Sequence, residues 1–288
     1  MIPEIEYFRP GKIEDVLSLL AENHGDTCII AGGTDIIPGF QQGDARFRHI
    51  RKLVEINRIK ELKIIEENDR NLIVGSGVTF SELVKNPLVQ NKFPLLSKAA
   101  VSIGGAQIRN RATIGGNFIN NAPCADSVPP LLVYDAKIHI RSLKYEKEIP
   151  LEQLLSKPYQ TQLKPDELVT QIVLRLPSSN YKGDFYKLGR RRGVAISRIA
   201  LAVLMKIENL TIQDIRIASG ALTPIGVRFP DLENYAKGKQ INEALLKELA
   251  QKLGTAILKK TSLRWSSAYK LPVVQQMFYH LLCQFMNN

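Results

Sequence analysis

The chain has little of what metal centres and redox clusters need. Its 288 residues include three cysteines, four histidines and one tryptophan. Cys28, Cys124 and Cys283 lie far apart with no CxxC spacing, so neither a zinc site nor an iron–sulfur cluster is indicated. An odd cysteine count argues against a disulfide framework. Cys28 and Cys283 sit in apolar runs and read as core, whereas Cys124 falls beside a glycine-rich stretch. His24, His49, His139 and His280 show no ligand spacing and read as structural or surface residues. No run approaches the roughly 20 apolar residues that span a bilayer. The opening residues, MIPEIEYFRPG, hold two glutamates and no apolar segment, unlike a secretory signal, so a cytoplasmic location is expected. No Ser/His/Asp set, activated cysteine or carboxylate pair stands out, and no residue is read as catalytic.

The net charge is +11. The positive residues are scattered, with the densest cluster, KLGRRR, at residues 187–192. No aromatic stripe alternates with them as a single-strand nucleic-acid platform requires. An anionic cofactor or an acidic partner accounts for the charge better than nucleic acid does.

What the chain does have is two glycine-rich stretches of similar chemistry. Residues 27–30, TCII, read as a short buried strand that empties into Ala31, Gly32, Gly33, Thr34 and Asp35. Residues 109–126 read RNRATIGGNFINNAPCAD and centre on Thr113, Ile114, Gly115, Gly116 and Asn117. Paired glycines let a backbone approach a ligand closely and present bare N–H groups, and such a nest of amides binds anions. Neither stretch is a GxGxxG fingerprint or a P-loop. Either alone is equally well a plain turn; two together suit a clamp on one diphosphate.

The remaining pattern is mixed. Helices are expected at residues 12–23, 94–102, 241–258 and 269–286. Thr79 with Glu82 reads as a capping box opening another. Asp126-Ser127 reads as the cap of a helix that follows. Strands are expected at residues 51–56, 62–65, 72–74, 137–141, 145–149, 168–176, 184–190, 196–207 and 212–221. Mixed elements, then strands, then helices argue an α+β class. The turn-forming cluster Pro177-Ser178-Ser179-Asn180 divides an N-terminal domain, 1–177, from a C-terminal one, 181–288.

AGGTD and QIRNRATIGGN, followed by FYKL at 185–188, ALTPI at 221–225 and RWSSAYK at 264–270, resemble the FAD-binding medium subunits of molybdenum hydroxylases. That family includes xanthine, carbon monoxide and nicotinate dehydrogenases, and the resemblance runs over nearly the whole chain. It implies a two-lobed FAD domain of the vanillyl-alcohol-oxidase-like type and a smaller C-terminal antiparallel sheet with helices. It implies non-covalent FAD here. The molybdenum cofactor and iron–sulfur clusters would lie in two partner subunits, with electrons passing from the clusters to FAD and on to NAD or another acceptor. Activity would need the three-subunit complex, with xanthine as the first expectation for its substrate.

The resemblance also assigns residues. Ala31 to Asp35 would hold the diphosphate from one side and Thr113 to Asn117 from the other. Ile29 and Ile30 would border the cofactor. Ile103 and Ala112 would line the flavin or ribityl channel, and Ile119 and Asn120 would lie along the nucleotide. Asp126 would bond a sugar hydroxyl, and Leu168 and Val169 would pack on the adenine or flavin edge. Lys187 would approach the isoalloxazine ring, where a cation favours negative charge. A stand-alone flavoenzyme of related fold remains the alternative.

Overall fold

The computed structural model describes residues 4–22, 25–178, 180–191 and 193–286. His24, Ser179 of the expected domain boundary and Arg192 of the basic cluster lie outside the described residues. Three short strands, β1 (Glu6–Phe8), β2 (Thr27–Ile30) and β3 (Lys52–Glu55), run parallel in the order β1-β3-β2. Parallel neighbours need long crossovers. The first is α1 (Ile13–Ala21), whose Ile13, Val16, Leu17 and Leu20 are buried at helical spacing. The second begins at the AGGTD loop and continues as α2 (Ile36–Gln42). That helix is absent from the sequence reading because Pro38 and Gly39 mask it. Pro38 stands in the first turn, where its missing N–H is tolerated. Gly39 is required because a Cβ there would lie 2.3 Å from the Phe47 ring.

A five-stranded antiparallel sheet forms the second lobe, in the order β4-β5-β10-β6-β7. Its strands are β4 (Ile65–Glu67), β5 (Asn71–Gly75), β6 (Lys137–Arg141), β7 (Glu146–Pro150) and the central β10 (Leu168–Arg175). A small hairpin, β8 (Leu155–Lys157) and β9 (Gln160–Thr161), precedes β10. Between β5 and β6 the chain makes α3 (Phe80–Lys85), α4 (Pro87–Lys92), α5 (Pro94–Ser102), α6 (Ala106–Arg109), α7 (Ile114–Asn120) and α8 (Val128–Val133); α9 (Leu151–Leu154) follows β7. The Thr79–Glu82 capping box starts α3 as its spacing predicts. The strand expected at 62–65 is instead a 3-10 turn, Lys60–Lys63, with only Ile65 entering β4. The Leu62 carbonyl accepts from the Gly77 N–H at 2.8 Å and is lost to the ladder.

The C-terminal part is an antiparallel sheet, β11 (Tyr181–Gly189), β12 (Ser197–Glu208), β13 (Thr211–Gly220) and β14 (Val227–Arg228). It carries α10 (Pro230–Ala236), α11 (Glu243–Thr261) and α12 (Ser267–Cys283) on one face. The α+β class expected from the sequence is the observed one. β12 is buried on both faces, which explains its long apolar run. Ile199, Leu201, Val203 and Met205 pack with α10 to α12. Ala200, Ala202 and Leu204 point the other way, into the core of the second lobe. The two small alanines leave room for α8 against β12, while α5 seats against β11. Asp135, just after α8, adds ion pairs to Arg216, at 2.6 Å, and to Arg228. No helix of the described residues is long and apolar enough to cross a membrane.

Ala202 sits directly between Phe185 on β11 and Ala218 on β13. Ala202→Leu should overfill this contact and cost about 1–3 kcal/mol. A lowered unfolding midpoint, with faster proteolysis near residue 180, is the expected readout.

Candidate functional site

The two glycine stretches meet because one of them has no side chain at the contact. A Cβ on Gly32 would stand 2.1 Å from the Arg111 carbonyl oxygen and 2.9 Å from the Ala112 Cα. The AGGTD loop therefore lies directly against the segment that leads into α7. Beside this contact opens a cavity of about 520 Å³, a size usual for a small-molecule or cofactor site. It lies between the lobes. Leu168 belongs to the core beneath α1 and Val169 to the core of the second lobe, yet both line it, next to a β-bulge between Val169 and Gln171.

The first loop is arranged as a donor site. Ile29, Ile30, Ala31, Gly32, Gly33, Thr34 and Asp35 all line the cavity. The N–H groups of Gly32, Gly33 and Thr34 make no hydrogen bond within the described residues. Gly33 holds φ +72°, which favours glycine. The loop is braced from behind. Asn57 Nδ2 donates to the Ala31 carbonyl at 2.6 Å, and the Asn57 N–H donates to Glu55 Oε1 at 2.9 Å. Glu55 in turn pairs with Arg9 at 3.4 Å.

The second stretch is built differently from the expected nest. Thr113 is the N-cap of α7, its hydroxyl accepting from the Gly116 N–H at 3.1 Å. The Ile114 N–H donates to Val78 O at 2.9 Å and the Gly115 N–H to Ser76 O at 3.0 Å. The Asn117 N–H donates to Thr113 O at 3.1 Å. These amides are already bonded, so the clamp is asymmetric. The Ile114 side chain is fully buried in the core, away from the cavity. Gly116 supplies bare surface instead: a Cβ there would meet only Thr113 Oγ1, at 3.0 Å. Ala112, Thr113, Gly115, Gly116, Asn117, Ile119 and Asn120 line the same cavity.

A second recess, of about 240 Å³, shares Asn117 with the cavity. Ile103, Asp126 and Lys187 line it, with Cys124 and Val194 to Ile196. Lys187 Nζ donates to Asp126 Oδ2 at 2.7 Å and to the Ser102 carbonyl at 2.8 Å. The Ser197 hydroxyl donates to Asp126 Oδ1. Burial pushes the Asp126 carboxyl above its usual range, against the pull of Lys187 and Ser197. Asp126 does not cap α8; the N-cap is Ser127, which makes no side-chain cap bond.

Comparison with known proteins shows which family the chain belongs to. A family model described as the FAD binding domain in molybdopterin dehydrogenase matches residues 3–178. A CO dehydrogenase flavoprotein C-terminal domain model matches residues 184–285. The chain is 32% identical to a putative xanthine dehydrogenase FAD-binding subunit of Escherichia coli (strain K12), over 94% of this chain and 92% of that one. It is 30% identical to the glyceraldehyde dehydrogenase medium chain of Sulfolobus acidocaldarius, over 95% of each. The chain belongs to the FAD-binding subunits of the molybdenum hydroxylases. A carbon monoxide dehydrogenase structure from Hydrogenophaga pseudoflava superposes with TM-score 0.91 at 25% identity, covering 98% of this chain and 97% of that one.

The cavity pair suits the cofactor of such a subunit. Three free amides offer an anion site, and a glycine surface faces the space beside them. Two neighbouring chambers that share Asn117 in their walls suit the two halves of a dinucleotide. Several lining residues escaped the sequence reading. Cys28 is one: it borders the cavity as well as a core, and burial pushes its thiol up to about 11. Ser76 ties β5, β10 and α7 together, its hydroxyl donating to Val169 O at 2.8 Å. Arg46 and Tyr159 are the others of note. None sits in a recognisable motif.

Adjacent glycines separate folding from binding. Gly115→Val would place a Cβ 2.6 Å from Ser76 O and should lower the unfolding midpoint. Gly116→Val meets no backbone, only Thr113 Oγ1 at 3.0 Å, and should weaken FAD binding about tenfold or more with a smaller loss of stability than Gly115→Val. Fluorescence titration and thermal unfolding of both variants check this.

Proposed function

We propose that this subunit holds FAD with its ADP half in the larger cavity and its isoalloxazine ring in the recess beside Lys187. The amides of Gly32, Gly33 and Thr34 take the diphosphate, and the Asn117 amide lies at the junction. Residues 1–177 form the cofactor domain, and residues 181–288 contribute Lys187. Bound FAD supplies electron transfer; the chain supplies position and charge. Electrons arrive from iron–sulfur clusters of a partner subunit, served in turn by a molybdopterin-binding subunit. The names of the relatives, subunits and medium chains of dehydrogenases, support that arrangement. The complex works in the cytoplasm, with xanthine as the leading substrate and NAD as the acceptor.

The observation that carries the choice of NAD is the mouth of the recess. Its outer edge is Val194, Ala195 and Ile196, with no aromatic among them. Val194 and Ile196 are 58% and 76% exposed. A nicotinamide needs a bare ring face at roughly 3–3.5 Å to react. Arg191 shapes this edge, donating to the Gly193 carbonyl at 3.1 Å and to the Val194 carbonyl at 2.6 Å. It is therefore less free to attract a dinucleotide phosphate than the sequence implies.

Lys187 has two of its three N–H groups bound to protein acceptors, leaving one for the recess. A cation held there should raise the flavin midpoint potential.

Two outcomes are expected. Anaerobic mixing of the FAD-loaded protein with NADH should bleach the flavin absorption rapidly. No bleaching, in an assembled complex that still reduces an artificial dye, would point to a different acceptor. Lys187→Met should lower the flavin midpoint potential by roughly 30 mV or more, the two-electron equivalent of about 1.4 kcal/mol. An unchanged potential would remove Lys187 from the ring's surroundings.

A further inference from the structure

Arg46 lies between the two glycine elements and is bonded to both. Its Nη1 donates to Asp35 Oδ2 at 3.2 Å and to Asn120 Oδ1 at 3.0 Å. Asp35 follows the donor loop, and Asn120 ends α7. Nε and Nη2 donate to Asp44 Oδ2 at 3.0 and 2.8 Å. The polar edge of the guanidinium is thus largely occupied by neighbouring side chains. What remains is its flat surface, 4.8 Å from the Phe47 ring centre and 4.2 Å from that of Tyr159.

Tyr159 reaches this position at a cost. It sits at the β8–β9 turn in a left-handed conformation, φ +61°, disfavoured for a bulky side chain. The conformation is pinned from α7. The Tyr159 N–H donates to Asn121 O at 3.0 Å, and Asn121 Nδ2 donates to Lys157 O at 2.9 Å and Gln160 O at 2.8 Å. Tyr159 as a residue remains 47% exposed, so core packing does not explain its placement. Arg46 and Tyr159 come from different lobes, and both line the larger cavity.

We propose that the stacked Arg46 and Tyr159 side chains form a clasp over the adenosine end of the larger cavity and set how slowly FAD leaves. This rests on the reading that the ADP half occupies that cavity. Asp35 and Asp44 flank the guanidinium with opposing charge, so Arg46 is poorly suited to trap a phosphate. A cation over an aromatic ring, held by side chains from two lobes, is instead a flat polarisable cover. Such a cover suits a purine and its sugar. The sequence gives no sign of it, because the two residues meet only in the fold.

The test is FAD release from the full-length protein, followed by the rise in flavin fluorescence after dilution. Arg46→Met and Tyr159→Leu should each speed release about tenfold, within the usual range for a partly desolvated cation–π pair. Tyr159→Phe keeps the ring and should release FAD within about twofold of the parent rate. ADP affinity should fall with both disruptive variants, while riboflavin affinity stays at the parent value. The clasp is refuted if both disruptive variants release FAD at the parent rate, or if riboflavin affinity falls as far as ADP affinity. It is equally refuted if Tyr159→Phe behaves like Tyr159→Leu. A parent chain that binds FAD but not ADP would overturn the placement of the ADP half, and the clasp with it.

Discussion

The contact between Gly32 and the Arg111–Ala112 backbone is the constraint on which the site depends. Two segments distant in the chain approach until only a hydrogen atom fits between them. Their approach sets the AGGTD amides opposite the start of α7 and leaves the cavity between the lobes. Much of the nearby structure holds this contact in place. Asn57 fixes the loop through the Ala31 carbonyl, and Ser76 fixes the start of α7 by accepting from the Gly115 N–H. The donors on the loop side are left free because the loop is neither strand nor helix. Those on the α7 side are not, because the Thr113 cap takes the Gly116 N–H and the Val78 and Ser76 carbonyls take the two before it.

The recess depends on a second constraint, the docking of the C-terminal sheet. Asp126 is contributed by the N-terminal part, whereas Lys187 and Ser197 come from β11 and β12. A carboxylate buried to 5% exposure would be costly without them. Docking therefore completes the charge balance of Asp126 at the same time as it builds the recess wall. The alanines on β12 make that docking close, and the Asp135 pairs with Arg216 and Arg228 add polar contacts at its edge. The geometry of the recess and the association of the two parts are thus linked through one ion pair.

Long periodic segments were the legible part of this chain. In the C-terminal part, β11, β12, β13, α11 and α12 fall within a few residues of where their apolar pattern puts them, because each buries a continuous face, whereas the short β14 and α10 were not read. The AGGTD loop was legible because a strand runs straight into it. Short or interrupted elements were not: β1 has three residues, and α2 carries Pro38 and Gly39 in its first half. The chemistry of TIGGN was half legible. Two glycines signalled close approach, but nothing local showed that Val78 and Ser76 carbonyls would take the first amides. Arg46, Asn57 and Tyr159 were invisible, since each acts on the site through a partner far away in sequence.

The measurement that bears most directly on this account is a structure of the FAD-loaded protein at a resolution that places the diphosphate. The account predicts its oxygens within about 3.2 Å of the Gly32, Gly33 or Thr34 amide nitrogens, with the adenine in the larger cavity and the isoalloxazine beside Lys187. A diphosphate bound elsewhere, with those three amides facing only water, would contradict it.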